Sequence, residues 1–422
     1  MTRWQWVLRL LARRMWFRAS LFCIFGVVLA FAGVLIGHAL SYDFAAKLGS
    51  KSVDEILNVL ASSMLAVTTF SLTTMVSAYA GAASSVTPRA VQLLIDDSVA
   101  QNALGTFLGS FLFAIVGIIA LSTGLYGETG RVILFAGTIL VIALIVITFL
   151  RWIEHVARFG RMQDTIDRVE RAATMAAKAM ALRPRFGPRQ RIIVPENASA
   201  VRHTEIGRVN HVDVIALSEV ADEIGADIHL AALPGTLVDP ARLLAWSEAA
   251  LDEKQVCRIR SAFTLAHHRV FDTDPRFGLV VLSEIASRAL SPAVNDPGTA
   301  IAVIEAGTRV LATMLRHELD PNLAPPDNVK VPAFAFPDLI EDLYRPIARD
   351  GAGMVEVGVR LQKALASLQA IEPEAAQDCQ REAADALERA SAQCSSRSDR
   401  ERLDRVHKRS WNVGLQDVAA ST

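Results

Sequence analysis

Four apolar segments occupy the first 150 residues, and the rest of the 422-residue chain reads as a water-soluble domain. A hydrocarbon core about 30 Å thick is crossed by roughly 20 apolar residues in a helix. Residues 20–40, 57–80, 103–126 and 132–150 meet that length, and none of the four contains Asp, Glu, Lys or Arg. Arg131 and Arg151 bracket the last of them. The expected fold class is an integral membrane α-helical protein with four transmembrane helices. A cytoplasmic α+β domain follows, with a small β-barrel-like segment and a helical C-terminal part.

Positive charge in short loops stays cytoplasmic. Residues 1–19 carry Arg3, Arg9, Arg13, Arg14 and Arg18 and no acid, and residues 151–170 carry four more arginines. The loop at 41–56 offers Lys47 and Lys51 as its only cations, and the loop before the fourth span only Arg131. Both termini are therefore expected inside. Trp4, Trp6 and Trp16 near the start, and Trp152 after the last span, suit a belt at the membrane surface. A cleaved signal peptide is the competing reading of the first span. The long apolar run and the lack of a small-residue cleavage site oppose it.

Charged residues make up 21% and hydrophobic ones 52%, which excludes a disordered chain. A net charge of −1 excludes the electrostatic footprint of a nucleic-acid binder. The basic N-terminus would instead sit against anionic headgroups, so the lipid bilayer is the first expected partner. Cys23, Cys257, Cys379 and Cys394 show no CxxC spacing, so reduced thiols are expected and no zinc site.

The second span is rich in hydroxyls. Of its eight Ser and Thr residues between 61 and 80, six fall within an arc of about 140° at 100° per residue: Ser62, Ser63, Thr69, Thr73, Thr74 and Ser77. One reading is close helix packing with hydrogen bonds across the interface. The other is a permeation face, on which Ser62, Thr69, Thr73 and Ser77 replace part of an ion's hydration shell. No ionisable residue lies deep in any span, which argues against a proton-relay pump. Gly33-xxx-Gly37 and Gly105-xxx-Gly109 point to close helix contacts, within or between subunits.

Between the second and third spans, Thr87-Pro88 reads as an N-cap with proline at the first helical position. Ala90, Val91, Leu94 and Ile95 then form a stripe, with Arg89, Gln92, Asp96 and Asp97 polar. A short amphipathic helix is expected, at the membrane surface or against the cytoplasmic domain, where it could couple domain movement to the spans. A plain connector is the competing reading.

The fourth span reads on as helix through 151–182, and residues 183–188 form a linker. Residues 191–250 read as a small β-rich module, with strands at 191–195, 206–212, 226–231 and 243–247 and a helix at 215–224. Gly207-Arg208-Val209 leading to Asp213, and Pro234-Gly235-Thr236-Leu237-Val238 followed by Leu243-Leu244, resemble the barrel-sandwich fold of biotinyl and lipoyl carriers. No lysine lies between Lys178 and Lys254, so the segment is expected to be a binding or assembly module rather than a carrier. Residues 251–422 read as mostly helical. Asp274-Pro275 and Asp296-Pro297 each start a helix, with the carboxylate capping and proline fixing the first turn. Five prolines at 321–337 mark a loop. Long helices are expected at 338–370 and 373–413, the second strongly charged and solvated.

Two strings carry a family resemblance. One is Phe271-Asp272-Thr273-Asp274-Pro275-Arg276-Phe277-Gly278-Leu279, and the other Arg288-Ala289-Leu290-Ser291-Pro292-Ala293-Val294-Asn295-Asp296-Pro297. With Thr87-Pro88-Arg89, Asp96 and Gln101-Asn102-Ala103-Leu104-Gly105, the chain resembles the bacterial predicted-membrane-protein family known as domain of unknown function 2254. The resemblance implies the membrane architecture and, with both termini inside, a bacterial inner membrane. It implies no mechanism.

The densest polar cluster is His267, His268, Asp272, Asp274, Arg276, Glu284, Arg288, Asn295 and Asp296, next to Ser291. As a site it could set carboxylates and histidines around a metal, or hold a phosphate between Arg276 and Arg288. As structure it is two helix caps and an i,i+4 pair. The structural network is the expectation, with no catalytic residue, no metal and no cofactor. No GxSxG, HExxH, GxGxxG or P-loop string is present. Three functions remain open. The first is a homo-oligomeric channel-like protein with a cytoplasmic regulatory domain and an unknown ion or small ligand. The second is a membrane-anchored scaffold or sensor whose fragment 191–422 folds and binds a partner. The third is a membrane enzyme that Asp272→Ala would inactivate without destabilising. The channel-like reading leads.

Overall fold

The computed structural model describes residues 17, 19–25, 27–28, 31, 50–95, 97–123, 128–158, 161–179, 186–187, 193–316 and 326–412. The chain divides into two compact units, Val7–Asp164 and, chiefly, Thr165–Thr422. Trp4, Trp6, Trp16, Gly33, Gly37 and most of the first span lie outside the described residues; those described at 17–31 are helical.

The membrane unit is built on α1 (Ser50–Ser85), α2 (Pro88–Ile95), α3 (Ser98–Ser122) and α4 (Glu128–Arg158). Within these, Val53–Ala83, Ser98–Ser122 and Arg131–Ala157 are long and apolar enough to cross a membrane. Over the 18-residue apolar window of each, α3 buries 56% of its residues, against 28% for α1 and 22% for α4, so α3 is the central helix. Leu57, Met75, Phe107, Phe113, Leu134 and Trp152 fill the core. α3 starts where Asp97 accepts the Val99 and Ala100 N–H groups at 2.9 Å each, satisfying two orphan donors of the first turn.

Three expectations change here. The second span is a longer helix than 57–80. The helix expected to run on through 182 ends at Arg158, and α5 (Met162–Ala179) follows separately. Trp152 is 3% exposed, packed inside the unit and stacked on His155 at 5.9 Å, so it forms no part of a surface belt.

In the C-terminal unit the strands are β1 (Phe186–Gly187), β2 (Ser199–Arg202), β3 (Gly207–Val212), β4 (Ile228–Leu230), β5 (Leu237–Val238), β6 (Leu243–Ser247), β7 (Phe263–Ala266), β8 (Val329–Lys330) and β9 (Phe334–Ala335). They form a four-stranded sheet in the order β2-β6-β4-β8, a three-stranded sheet β5-β3-β7 and a parallel pair β1-β9. No closed barrel exists among the described residues. The two larger sheets share one core with α6 (Val214–Ile224) and α7 (Glu253–Ser261), in which Val201, Val209, Leu217, Leu244, Phe263 and Val329 meet, but they share no hydrogen-bonded ladder. The module therefore reaches beyond 191–250. Of the strand expected at 191–195, the described part is not a strand, because residues 195–198 turn, with the Ala198 N–H on the Pro195 carbonyl. The linker residues Phe186–Gly187 pair with Phe334–Ala335, inside the stretch expected to be a loop.

The helical part comprises α8 (Pro275–Ala289), α9 (Pro297–Arg316), α10 (Phe336–Asp350), α11 (Val355–Ile371), α12 (Ala376–Gln393) and α13 (Arg397–Asn412). Each long helix expected from the sequence is two. Gly351 and Gly353 break the first, and the segment from Cys394 to Ser396 breaks the second. Nor is α12 merely solvated: it buries Cys379, Glu382, Ala383, Ala386 and Ala390. α9 also has the length and composition of a span, but it is two-faced. Val303, Ile304, Val310 and Leu311 are buried within the unit, whereas Glu305 and Arg309 pair outward with Arg360 and Glu170. A stripe of this kind belongs to a globular core helix.

Candidate functional site

The hydroxyl face of α1 points away from its own bundle. Leu57, Ala61, Met64, Ser71 and Met75 are buried and repeat at helical spacing, whereas Ser62, Thr69, Thr73 and Ser77 are exposed on the other side. Packing among the described residues of one subunit therefore does not explain them. The Ser62 hydroxyl donates to the Asn58 carbonyl at 3.0 Å, Thr69 to Leu65 at 2.9 Å and Thr73 to Thr69 at 3.0 Å. A hydroxyl has one donor and two acceptor lone pairs. With the donor turned back onto the helix, the capacity left facing outward is that of an acceptor. Leu65, Phe70 and Val76 share this outer surface, so polar and apolar groups alternate along it.

The glycine pair of α3 serves the interior. A Cβ at Gly105 would stand 2.7 Å from Phe22 Cδ2, and one at Gly109 would stand 2.7 Å from the Phe22 carbonyl oxygen. The two glycines thus seat the first span within the same subunit.

At one end of α3, Thr87 precedes α2, its carbonyl accepting the Ala90 N–H at 3.1 Å and its Oγ1 the Arg89 N–H at 3.4 Å. Ala90 and Leu94 are the buried residues of α2. The Gln101 side chain donates to the Ile95 carbonyl at 2.8 Å, which ties the end of α2 to α3. Asp97 lies 3.3 Å from His155 Nε2, both side chains largely buried. The carboxylate that caps α3 is thus joined to α4 as well.

The cluster at 267–296 is not one site. α8 has 15 residues, so its ends are roughly 20 Å apart. At the N-terminal end Asp274, 2% exposed, accepts the Phe277 N–H at 3.1 Å and takes both arms of Arg269, Nε at 2.6 Å and Nη2 at 3.0 Å. Arg269 in turn lies 5.1 Å over the Phe277 ring. Gly235, at φ +90°, presses against this carboxylate, since a Cβ there would come within 2.2 Å of Asp274 Oδ2. Arg276 donates through Nε to Asp342 at 2.8 Å and lies 3.4 Å from Asp338. Burial alone would lower the Arg276 guanidinium pKa, but the hydrogen bond to Asp342 and the surrounding carboxylates hold it above its ordinary value.

The C-terminal end of α8 is a different structure. Arg288 is exposed, Ser291 Oγ donates to the Arg288 carbonyl at 2.7 Å, and Asn295 takes φ +51° with its N–H on the Ser291 carbonyl at 2.9 Å. Asn is among the few side chains that accept that backbone. Asp296 then caps α9 through the Thr299 N–H at 3.0 Å and the Thr299 hydroxyl at 2.6 Å, bonds that hold its carboxyl below the usual range. The Ser-Pro-Ala-Val-Asn-Asp-Pro string is thus an exposed helix-to-helix turn. His267 and His268 are exposed, and no group of three or more metal-ligating side chains assembles among the described residues.

The model of a family described as predicted membrane protein (DUF2254) matches residues 12–367. The chain belongs to the DUF2254 family. No curated protein and no solved structure matches it. In this DUF2254 protein the matched residues end within α11, and α12 and α13 lie beyond them. Those two helices are nonetheless fastened to α11 by Gln362, 1% exposed. Its Nε2 donates to the Ala383 carbonyl at 2.8 Å, and its Oε1 accepts from Trp411 Nε1 at 3.0 Å and from His407 Nδ1 at 2.8 Å. An amide oxygen only accepts, so His407 carries its proton on Nδ1. Gln362→Leu is expected to lower stability by about 3 kcal/mol, since each lost hydrogen bond contributes about 1 kcal/mol. Limited trypsinolysis, with new cuts in 397–412, would report it.

Sequence reasoning missed Arg269, His155 and Gln362. Arg269 lies five residues before Asp274 and could have been found as a nearby cation. His155 and Gln362 meet their partners only in three dimensions, and nothing local marks them. Asp97, read from the sequence only as a polar residue of the segment before the third span, is the cap of α3, while Asp96 lies outside the described residues.

Proposed function

We propose that this DUF2254 protein is a channel-like homo-oligomer of a bacterial inner membrane, with both termini inside and the C-terminal unit as its cytoplasmic regulator. The observation that carries the reading is the α1 face of Ser62, Thr69, Thr73 and Ser77. It is directed away from the unit's own core, with the Ser62, Thr69 and Thr73 hydroxyl protons bonded back to the helix. Around an axis between subunits, such faces offer rings of oxygen acceptors, and oxygen acceptors replace the hydration shell of a cation. The test is potassium and sodium flux through purified protein in liposomes, beside a Thr69→Leu/Thr73→Leu variant of equal melting temperature. Both positions are exposed, so the variant keeps its fold, and the expected result is flux in the parent and none in the variant. Absence of flux in the parent, or equal flux in both, removes the channel reading. The weight then moves to a membrane-anchored sensor whose C-terminal unit binds a ligand.

A further inference from the structure

A cleft of about 660 Å³ opens in the C-terminal unit between α8, α10 and α12. Three arginines, Arg345, Arg349 and Arg389, and three acids, Glu284, Glu341 and Asp342, line it. The arginines are braced by carboxylates. Arg345 reaches Glu382, 2% exposed, at 3.1 Å and Glu341 at 3.4 Å. Arg349 doubles on Asp350 at 2.6 and 2.9 Å, and Arg389 on Asp385 at 2.7 and 3.2 Å. A guanidinium has five N–H donors, so Arg349 and Arg389 keep donors beyond these pairs. Pairs of this exposed, local kind contribute at most about 1 kcal/mol, so a ligand can compete with them.

Two further features of the cleft point to a ligand. Ser283 lines it, is 2% exposed, and its Oγ has no hydrogen-bond partner; leaving a buried hydroxyl unpaired is unfavourable. Pro346, also in the wall, has no N–H, so the Asp342 carbonyl loses its helical donor.

The charge pattern selects the ligand class. A simple anion entering the cleft meets three carboxylates, and a simple cation meets three guanidinium groups. A molecule bearing both charges meets a partner for each. Glu341 and Arg345 are one helical turn apart, roughly 6 Å along α10, the scale of an anion and an ammonium on a short linker. Several arginines suit a group with three or more acceptor oxygens. We propose that this cleft binds a small zwitterion carrying a phosphate and an N–H-bearing ammonium, of which phosphoethanolamine is the simplest, either free or as a lipid headgroup. This goes beyond the permeation reading and does not depend on it.

The experiment is calorimetric titration of phosphoethanolamine into the full-length protein in phosphatidylcholine nanodiscs, where the choline group has no N–H to offer. Saturable binding is expected, at least tenfold tighter than for inorganic phosphate or ethanolamine, and at least tenfold weaker in Arg349→Gln and Arg389→Gln. Ser283→Ala should weaken it several-fold while the melting temperature holds or rises, which a merely structural hydroxyl would not produce. No saturable binding, equal affinity for inorganic phosphate, or affinity unchanged in both arginine variants overturns the proposal. Replacing part of the phosphatidylcholine by phosphatidylethanolamine separates the sources: a weaker titration by competition assigns the lipid headgroup, and an unchanged one assigns the free molecule.

Discussion

Asp274→Ala is expected to cost the C-terminal unit about 4 kcal/mol, because removing one partner of a buried ion pair strands the other charge. The Asp274 carboxylate is 2% exposed and has three attachments: the Phe277 N–H and both arms of Arg269. Its removal leaves the Arg269 side chain, 19% exposed, with the Phe277 ring for company and no anion. The cap of α8 is lost at the same time. For a unit of this size, that free energy corresponds to a fall of roughly 10 °C in melting temperature. Asp296→Ala is the natural comparison. Asp296 also caps a helix, through Thr299, but no arginine rests on it, so it should cost only about 1 kcal/mol. Thermal melting of the two full-length variants in detergent decides the matter. Equal small shifts would mean that the Arg269–Asp274 pair is not the anchor of α8.

What the sequence reveals here depends on how local the physics is. Hydrocarbon imposes length and apolarity residue by residue, so the segments now seen as α3 and α4 could be read directly. The Asp274-Pro275 and Asp296-Pro297 pairs could be read because capping acts within three residues. The hydroxyl arc of α1 was visible as a periodicity, but which side faces the bundle depends on α3, and no pattern in 57–80 carries that. The two-residue strands Leu237–Val238 and Val329–Lys330 exist only through their partners, β3 and β4, far away in sequence. The polar string at 267–296 misled for the opposite reason. Its residues are close in sequence, yet a straight helix of 15 residues holds them apart. The cleft at Arg345 draws its walls from three helices, one of them beyond the family match, and so left no single motif.

Gly109→Leu should abolish stable folding of the membrane unit. A Cβ at this position would lie 2.7 Å from the Phe22 carbonyl oxygen and 3.0 Å from its carbonyl carbon. Those are backbone atoms, so no rotamer change can relieve the contact; the first span has to move away from α3. Glycines of this kind let two helix backbones approach closely, and packing rather than hydrophobicity is what holds helices together in lipid. Overpacking a tight contact typically costs about 1–3 kcal/mol for a single extra group, and here a whole leucine side chain follows the Cβ. Gly105→Leu should be milder, because the nearest atom, Phe22 Cδ2, belongs to a ring that can turn. Gly81→Ala supplies the opposite sign. Nothing lies within 4 Å of a Cβ there, and the residue sits inside α1, so the alanine should stabilise by about 0.5–1 kcal/mol through the lower entropy of the unfolded chain. The order Gly81→Ala, parent, Gly105→Leu, Gly109→Leu in melting temperature and monodispersity in detergent is the expected result. A Gly109→Leu protein that melts with the parent would show that the first span does not rest on this glycine.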